Sequence, residues 1–147
     1  MVWKRLLISL ALMIATAILV GGCGGGGESP QSLASSGPLS AVAWDPPRTY
    51  VDNSPLDPLR ELDYYEFYVR TDQNFTENDA PVAQAAAVTN ILSPDGRTYT
   101  PELTWEFYLT NLRPFAQPGK VYYVSIRAVG VDGLKSQFSQ PISWEVI

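Results

Sequence analysis

Over residues 121–129 the chain reads VYYVSIRAV, and Tyr122, Val124, Ile126 and Ala128 occupy every second position. Strand side chains point alternately to opposite faces, so this spacing puts four apolar groups on one face of a β-strand. A helix would scatter them around its circumference. Runs rich in Val, Ile, Tyr, Phe and Trp recur over 39–44, 62–70, 104–112 and 141–147, separated by Pro, Gly, Asn and Asp. Together they predict an all-β domain over residues 38–147, built around one buried core.

The beginning of the chain has another character. Lys4 and Arg5 precede fifteen uncharged residues, LLISLALMIATAILV, at positions 6–20. A charged start before an apolar run of this length is the pattern of a secretory signal peptide, whereas a spanning helix takes about 20 apolar residues. The run ends in Gly21 and Gly22, Cys23 and four more glycines, all poor continuations of a helix except the cysteine. Residues 1–22 are therefore read as a cleaved signal.

The residues Val20-Gly21-Gly22-Cys23 resemble the lipobox of bacterial lipoproteins. The resemblance implies that Cys23 carries the lipid and becomes the first residue after cleavage. Two or three acyl chains hold a protein firmly on a bilayer where one holds it marginally. The expected location is thus the cell envelope, lipid-anchored. Gly24 follows the cysteine where Asp would retain a Gram-negative lipoprotein at the inner membrane, so the outer membrane is favoured in such a cell. Residues 23–37 comprise the lipidated cysteine and a Gly/Ser-rich stretch, GGGGESPQSLASSG, which reads as a disordered tether holding the domain about 20 Å from the lipid.

Within 38–147 a series of short signatures stands in a telling order. Ala43-Trp44-Asp45-Pro46-Pro47 comes first, then Tyr65-Glu66-Phe67-Tyr68-Val69-Arg70, Phe107-Tyr108-Leu109-Thr110-Asn111-Leu112-Arg113-Pro114, Tyr122 to Val129, and Asp132-Gly133-Leu134-Lys135-Ser136. This series resembles a fibronectin type III domain. The resemblance implies a seven-stranded, immunoglobulin-like β-sandwich with a core of Trp44, Tyr65, Phe67, Leu109, Leu112, Tyr122, Val124 and Ile126. It also implies a tyrosine corner at Tyr122, whose hydroxyl bonds back to nearby backbone. The first strand is expected to be short or absent. Residues 81–92 (PVAQAAAVTNIL) suit an edge strand or a short helix, and the strand is favoured; Asp95-Gly96 is a turn signal.

The composition narrows the chemistry. The chain has no histidine and one cysteine, so it cannot build a Ser-His-Asp triad, a Cys-His pair, an imidazole metal site or an internal disulfide from its own residues. The formal charge is −5; with Lys4 and Arg5 removed alongside the signal, 8 basic residues face 15 acidic ones, a balance of −7. No nucleic-acid partner is expected of such a chain. The acidic side chains fall in loops without an EF-hand spacing or a paired-carboxylate arrangement, so no catalytic residue, metal or cofactor is expected.

What remains is binding. If Tyr65, Phe67 and Val69 point inward, Tyr64, Tyr68 and Arg70 point outward, joined by Tyr123 and Arg127 on the neighbouring strand that the resemblance implies. Tyrosine and arginine are enriched at interface hot spots, which makes these five a candidate face for another cell-envelope protein. Cross-strand stabilisation of a solvated sheet is the structural alternative. A second functional class, carbohydrate binding, would use Trp105, Tyr50 and Tyr99, while Trp144 fits the core with Ile142 and Val146.

Overall fold

The computed structural model describes residues 39–147. The signal peptide, Cys23 and the tether lie outside the described residues.

Eight strands and two short helical turns follow one another: β1 (Ala41–Ala43), α1 (Pro58–Glu61), β2 (Leu62–Arg70), β3 (Ala83–Ala86), β4 (Val88–Leu92), β5 (Tyr99–Leu103), β6 (Glu106–Tyr108), a 3₁₀ helix (Leu109–Phe115), β7 (Val121–Gly130) and β8 (Ile142–Glu145). They form an antiparallel four-stranded sheet in the order β3-β2-β7-β8, a two-stranded sheet β1-β6, and a separate ribbon β4-β5. The fold is an all-β sandwich. Eight strands stand among the described residues, against an expected seven, because residues 71–104 supply the ribbon as well as an edge strand.

The core lies between the first two sheets. Tyr65, Phe67 and Val69 of β2 pair directly with Ala128, Ile126 and Val124 of β7, so the inward residues of both strands share one face. From the opposite sheet Val42 pairs with Phe107. The Phe67 ring stacks on Phe107 with centroids 3.9 Å apart and receives Trp44 edge-on at 5.7 Å. Trp44 also meets Tyr65 edge-to-face at 4.8 Å. Such offset and edge-on contacts stabilise aromatic pairs beyond their area burial. Tyr122, Leu109 and Leu112 complete the same cluster.

Two local irregularities let the sequence meet this core. Leu62 and Tyr65, three positions apart, both reach it, which strict alternation forbids. The register slips between Leu62 and Tyr64: Asp63 is an extra residue opposite β7, and the bulge resets the alternation. The predicted strand over 104–112 is cut short. Only Glu106–Tyr108 is extended, and Leu109 and Leu112 then share one side of a 3₁₀ helix, where residues three apart eclipse. Both are fully buried. A strand would have turned one of them to solvent.

Residues 81–92 contain two strands, β3 and β4, interrupted at Ala87, whose N–H donates to the Asp63 carbonyl at 2.9 Å. The Tyr122 hydroxyl accepts from the Gln117 backbone N–H at 3.1 Å, tying the approach of β7 to its first turn.

Candidate functional site

The register places Tyr64, Tyr68, Arg70, Tyr123 and Arg127 on the outer face of the four-stranded sheet. Tyr64 lies opposite Val129, Glu66 opposite Arg127, Tyr68 opposite Ser125 and Arg70 opposite Tyr123. The five residues expected to point outward do lie on this face, and it is covered over much of its extent. Tyr68 is 1% exposed and Arg127 6%, while Tyr64, Arg70 and Tyr123 are half-buried.

The cover comes from the chain between β7 and β8. Ser136 and Ser139 donate backbone N–H bonds to the carbonyls of Ala128 and Ile126 at 2.8 and 2.9 Å. Their side-chain hydroxyls accept from the N–H groups of the same two residues, each at 2.9 Å. Serine hydroxyls thus satisfy buried donors that a regular strand would meet with carbonyls. The irregular path swings the Phe138 ring across the face, edge-on to Tyr68 at 4.9 Å and 4.6 Å from the Arg127 guanidinium.

Every charge under this cover is matched. Arg127 donates from Nε to the Ser136 carbonyl at 2.7 Å and from Nη1 to Glu77 at 2.6 Å. Lys135 Nζ bonds both oxygens of buried Glu66 at 2.9 and 2.8 Å, and the Tyr68 hydroxyl donates to Glu66 as well. Burial, followed by the Glu66 hydrogen bond and charge, pushes the Tyr68 phenol well above its ordinary range. At the far end of β2, Arg70 grips Asp72 with two bonds at 3.0 Å and also meets Asp79. These groups are partners to one another.

The three aromatics named for carbohydrate contact separate. Trp105 and Tyr99 are exposed, at 58% and 68%. Tyr50 is half-buried, its hydroxyl donates to Glu61 at 2.9 Å, and its pKa is pushed up to about 12 by burial, the Glu61 hydrogen bond and the charges of Glu61, Asp132 and Asp52.

Exposed apolar side chains lie elsewhere and are spread over the domain, Leu59, Phe115, Val121, Val131 and Ile147 among them. Ile91, Leu92 and Tyr99 on the β4–β5 ribbon are all open to solvent. This ribbon springs from one pole of the sandwich. Trp44 N–H bonds the Trp105 carbonyl there, Thr104 N–H bonds the Ala87 carbonyl, and Leu62 pairs with Gly130. The opposite pole holds the entry of the described chain: Ser40 accepts from Leu109, and the 119–120 turn meets Val146 near the end. Leu39 and the ribbon are thus at opposite poles. Sequence reading identified the Asp95-Gly96 turn and the 81–92 strand signal but left the ribbon unassigned, because its apolar residues give no sign that they remain uncovered.

Among the described residues, no group of three or more Cys, Asp or Glu side chains could hold a metal ion. A shallow depression, bordered by Leu39, Leu109, Trp144 and Ile147, opens at the pole where the described chain enters. No protein-family model matches the chain, and no curated protein matches its sequence.

Proposed function

We propose that the protein is a lipid-tethered module of the cell envelope, anchored through Cys23, whose fibronectin type III-like sandwich binds another envelope protein. The observation that carries this reading is the position of the exposed ribbon. Ile91, Leu92 and Tyr99 are presented at the pole opposite Leu39, where the tether joins. A domain held by that end presents the ribbon at its far pole, while Leu39, Phe115, Val121 and Ile147 are the exposed apolar residues of the anchored pole. The family reading is supported by β2 and β7 lying side by side with Tyr122 bonded back to backbone, as the resemblance implies.

Cys23, following Val20-Gly21-Gly22, is the attachment point, and Gly24 directs the mature protein to the outer membrane of a Gram-negative cell. Two measurements test the proposal. Labelled palmitate enters the intact protein and is absent from Cys23→Ser; label retained in that variant overturns the anchor. Crosslinking in the membrane recovers a neighbouring protein through the ribbon; recovery only through Tyr64 or Tyr123 returns the interface to the outer sheet face.

Carbohydrate binding is the second reading, favoured by the exposure of Trp105 and Tyr99. A glycan array with Trp105→Ala as control decides it.

A further inference from the structure

The hydrogen bonds of the ribbon reveal which of its two edges is open. Ser93 N–H bonds the Thr98 carbonyl at 2.8 Å, and Thr104 N–H bonds the Ala87 carbonyl at 2.9 Å. Residues facing each other across an antiparallel pair alternate between hydrogen-bonded and non-hydrogen-bonded. In the intervening register the non-bonded pairs are Val88 with Leu103, Asn90 with Pro101, and Leu92 with Tyr99. The C=O groups of these six residues, and the N–H groups of all but Pro101, therefore point away from the ribbon, toward its two outer edges.

The edges differ by one residue. Midway along β5, the outward position is Pro101, which has no N–H to offer. A proline there blunts the edge against pairing. β4 has no such guard. Among the described residues, Asn90 and Leu92 have no hydrogen-bond partner at this outer edge. β4 is also longer than the edge strands β1, β3, β6 and β8, and is matched only by β5, its guarded partner. A ribbon of two strands is marginal in water, and a third strand improves it.

Charge indicates what the third strand is. The segments 45–63, 88–104 and 131–135, which meet at this pole, hold eight acidic and four basic side chains. The charges of Glu61, Asp132 and Asp52 all act on Tyr50. A second copy of the chain would bring the same acidic excess to the contact, whereas a cationic segment is attracted. Backbone donors and acceptors at strand spacing select an extended polypeptide over a sugar or a lipid.

We propose that the outer edge of β4 is a strand-addition site for an extended, positively charged segment of a different protein. Peptides docked in this way draw affinity from main-chain bonds and specificity from alternate side chains. The ribbon supplies Val88 and Leu92 on one face for the apolar residues of that segment. This inference names the partner chemistry of the module proposed above and rests on that reading.

The test uses the full chain in neutral detergent and a synthetic probe, acetyl-Lys-Val-Lys-Val-Lys-Val-Lys-amide. Amide exchange of Asn90 and Leu92 slows about tenfold or more at saturating probe, and the Glu-for-Lys version of the peptide gives no protection. Two further copies are N-methylated at every lysine or at every valine. In an added strand one set of amides faces β4 and the other faces away, so one copy loses binding and the other keeps it. Asn90→Pro removes an outward donor without touching the ribbon's own bonds, and weakens the probe about tenfold or more.

Equal binding of both methylated copies overturns strand addition. So do unchanged exchange at Asn90 and Leu92, or equal protection by the acidic peptide. Protection that rises with protein concentration in the absence of probe overturns it in favour of self-association. The methylated copies act on the unaltered chain, so the result stands even if Asn90→Pro misfolds. Palmitate labelling at Cys23 is independent of all these readouts, which separates failure of this site from failure of the anchor.

Discussion

The guanidinium carbon of Arg127 lies 4.6 Å from the centroid of the Phe138 ring, and this contact closes the outer face of β2 and β7. The ring shields Tyr68 as well. Removing it exposes apolar surface and rehydrates an arginine that is otherwise almost fully buried. Phe138→Ala is expected to destabilise the domain by about 2 kcal/mol, measured by urea unfolding. A change below about 0.5 kcal/mol means that the ring is dispensable cover. Tyr68→Ala loses stability for the same reason, so weakened binding in that variant is not evidence of an interface.

The hydroxyls of Ser136 and Ser139 accept the N–H groups of Ala128 and Ile126, with both serines buried. Replacing either by alanine leaves a buried donor without its acceptor, at a cost of about 1–3 kcal/mol each. Ser136→Ala and Ser139→Ala should therefore both unfold at lower urea than the unaltered chain. Threonine at either position keeps the hydroxyl and should recover part of the loss. If threonine and alanine behave alike at both sites, the hydrogen bonds are not what the serines contribute.

Acid should weaken the loop held by Arg70. The Asp72 carboxyl is held below its usual range by the Arg70 hydrogen bonds and the Asn74 N–H. That of Asp79 is held low by the Thr76 N–H, with Arg70 and the Thr76 hydroxyl adding to it. A carboxyl whose pKa is lowered by folding stabilises the fold above its unfolded value, about 4, and loses that contribution as pH falls through the folded value. The stability difference between the unaltered chain and Arg70→Met should hold steady from about pH 7 to 5 and shrink below about pH 4. A difference that stays constant into acid shows that the pairing contributes nothing.

At the alkaline end the sign reverses. The phenols of Tyr50 and Tyr65 are both pushed up to about 12, by burial first in each case, and burial and Glu66 push Tyr68 higher. A phenol whose pKa is raised by folding binds its proton more tightly in the native state. Its contribution is complete below the unfolded value of about 10 and is lost as pH climbs toward the folded one. Tyrosinate absorbance should show Tyr50, Tyr65 and Tyr68 ionising late, together with loss of the fold. Ionisation of these three near the ordinary value, with the fold intact, would contradict this.

How far the sequence could be read depended on whether a pattern was local. β2 spans the expected residues 62–70, and β7 exceeds the expected 121–129 only by Gly130. In both, alternation along the strand is itself the signal. Leu109 and Leu112 were recognisable as core residues but not as 3₁₀, since their spacing of three gains meaning only where the strand ends. The outer face was legible in its parity and illegible in its cover. Phe138 covers Tyr68 and Arg127, and the charge of Arg127 is met by Glu77, fifty positions away. The ribbon escaped for the converse reason: nothing in Ile91, Leu92 or Tyr99 tells whether a sheet lies beneath them.

That contrast yields the last prediction. Leu92 and Tyr99 face each other across the ribbon, 46% and 68% exposed. Apart from their mutual cross-strand contact, which is worth about 0.2–1 kcal/mol, neither packs against the buried core cluster. Replacing both, Leu92→Ser with Tyr99→Ser, should cost the domain no more than about 1 kcal/mol, far less than truncating fully buried Leu112. Leu112→Ala should lose about 2–5 kcal/mol. Because the double variant removes exposed apolar surface, the purified chain should also be less prone to associate at high concentration, as read by light scattering. A double variant that unfolds as readily as Leu112→Ala shows that the ribbon's apolar tip belongs to the core. A tip that can be stripped without harm to the fold is present for something other than folding.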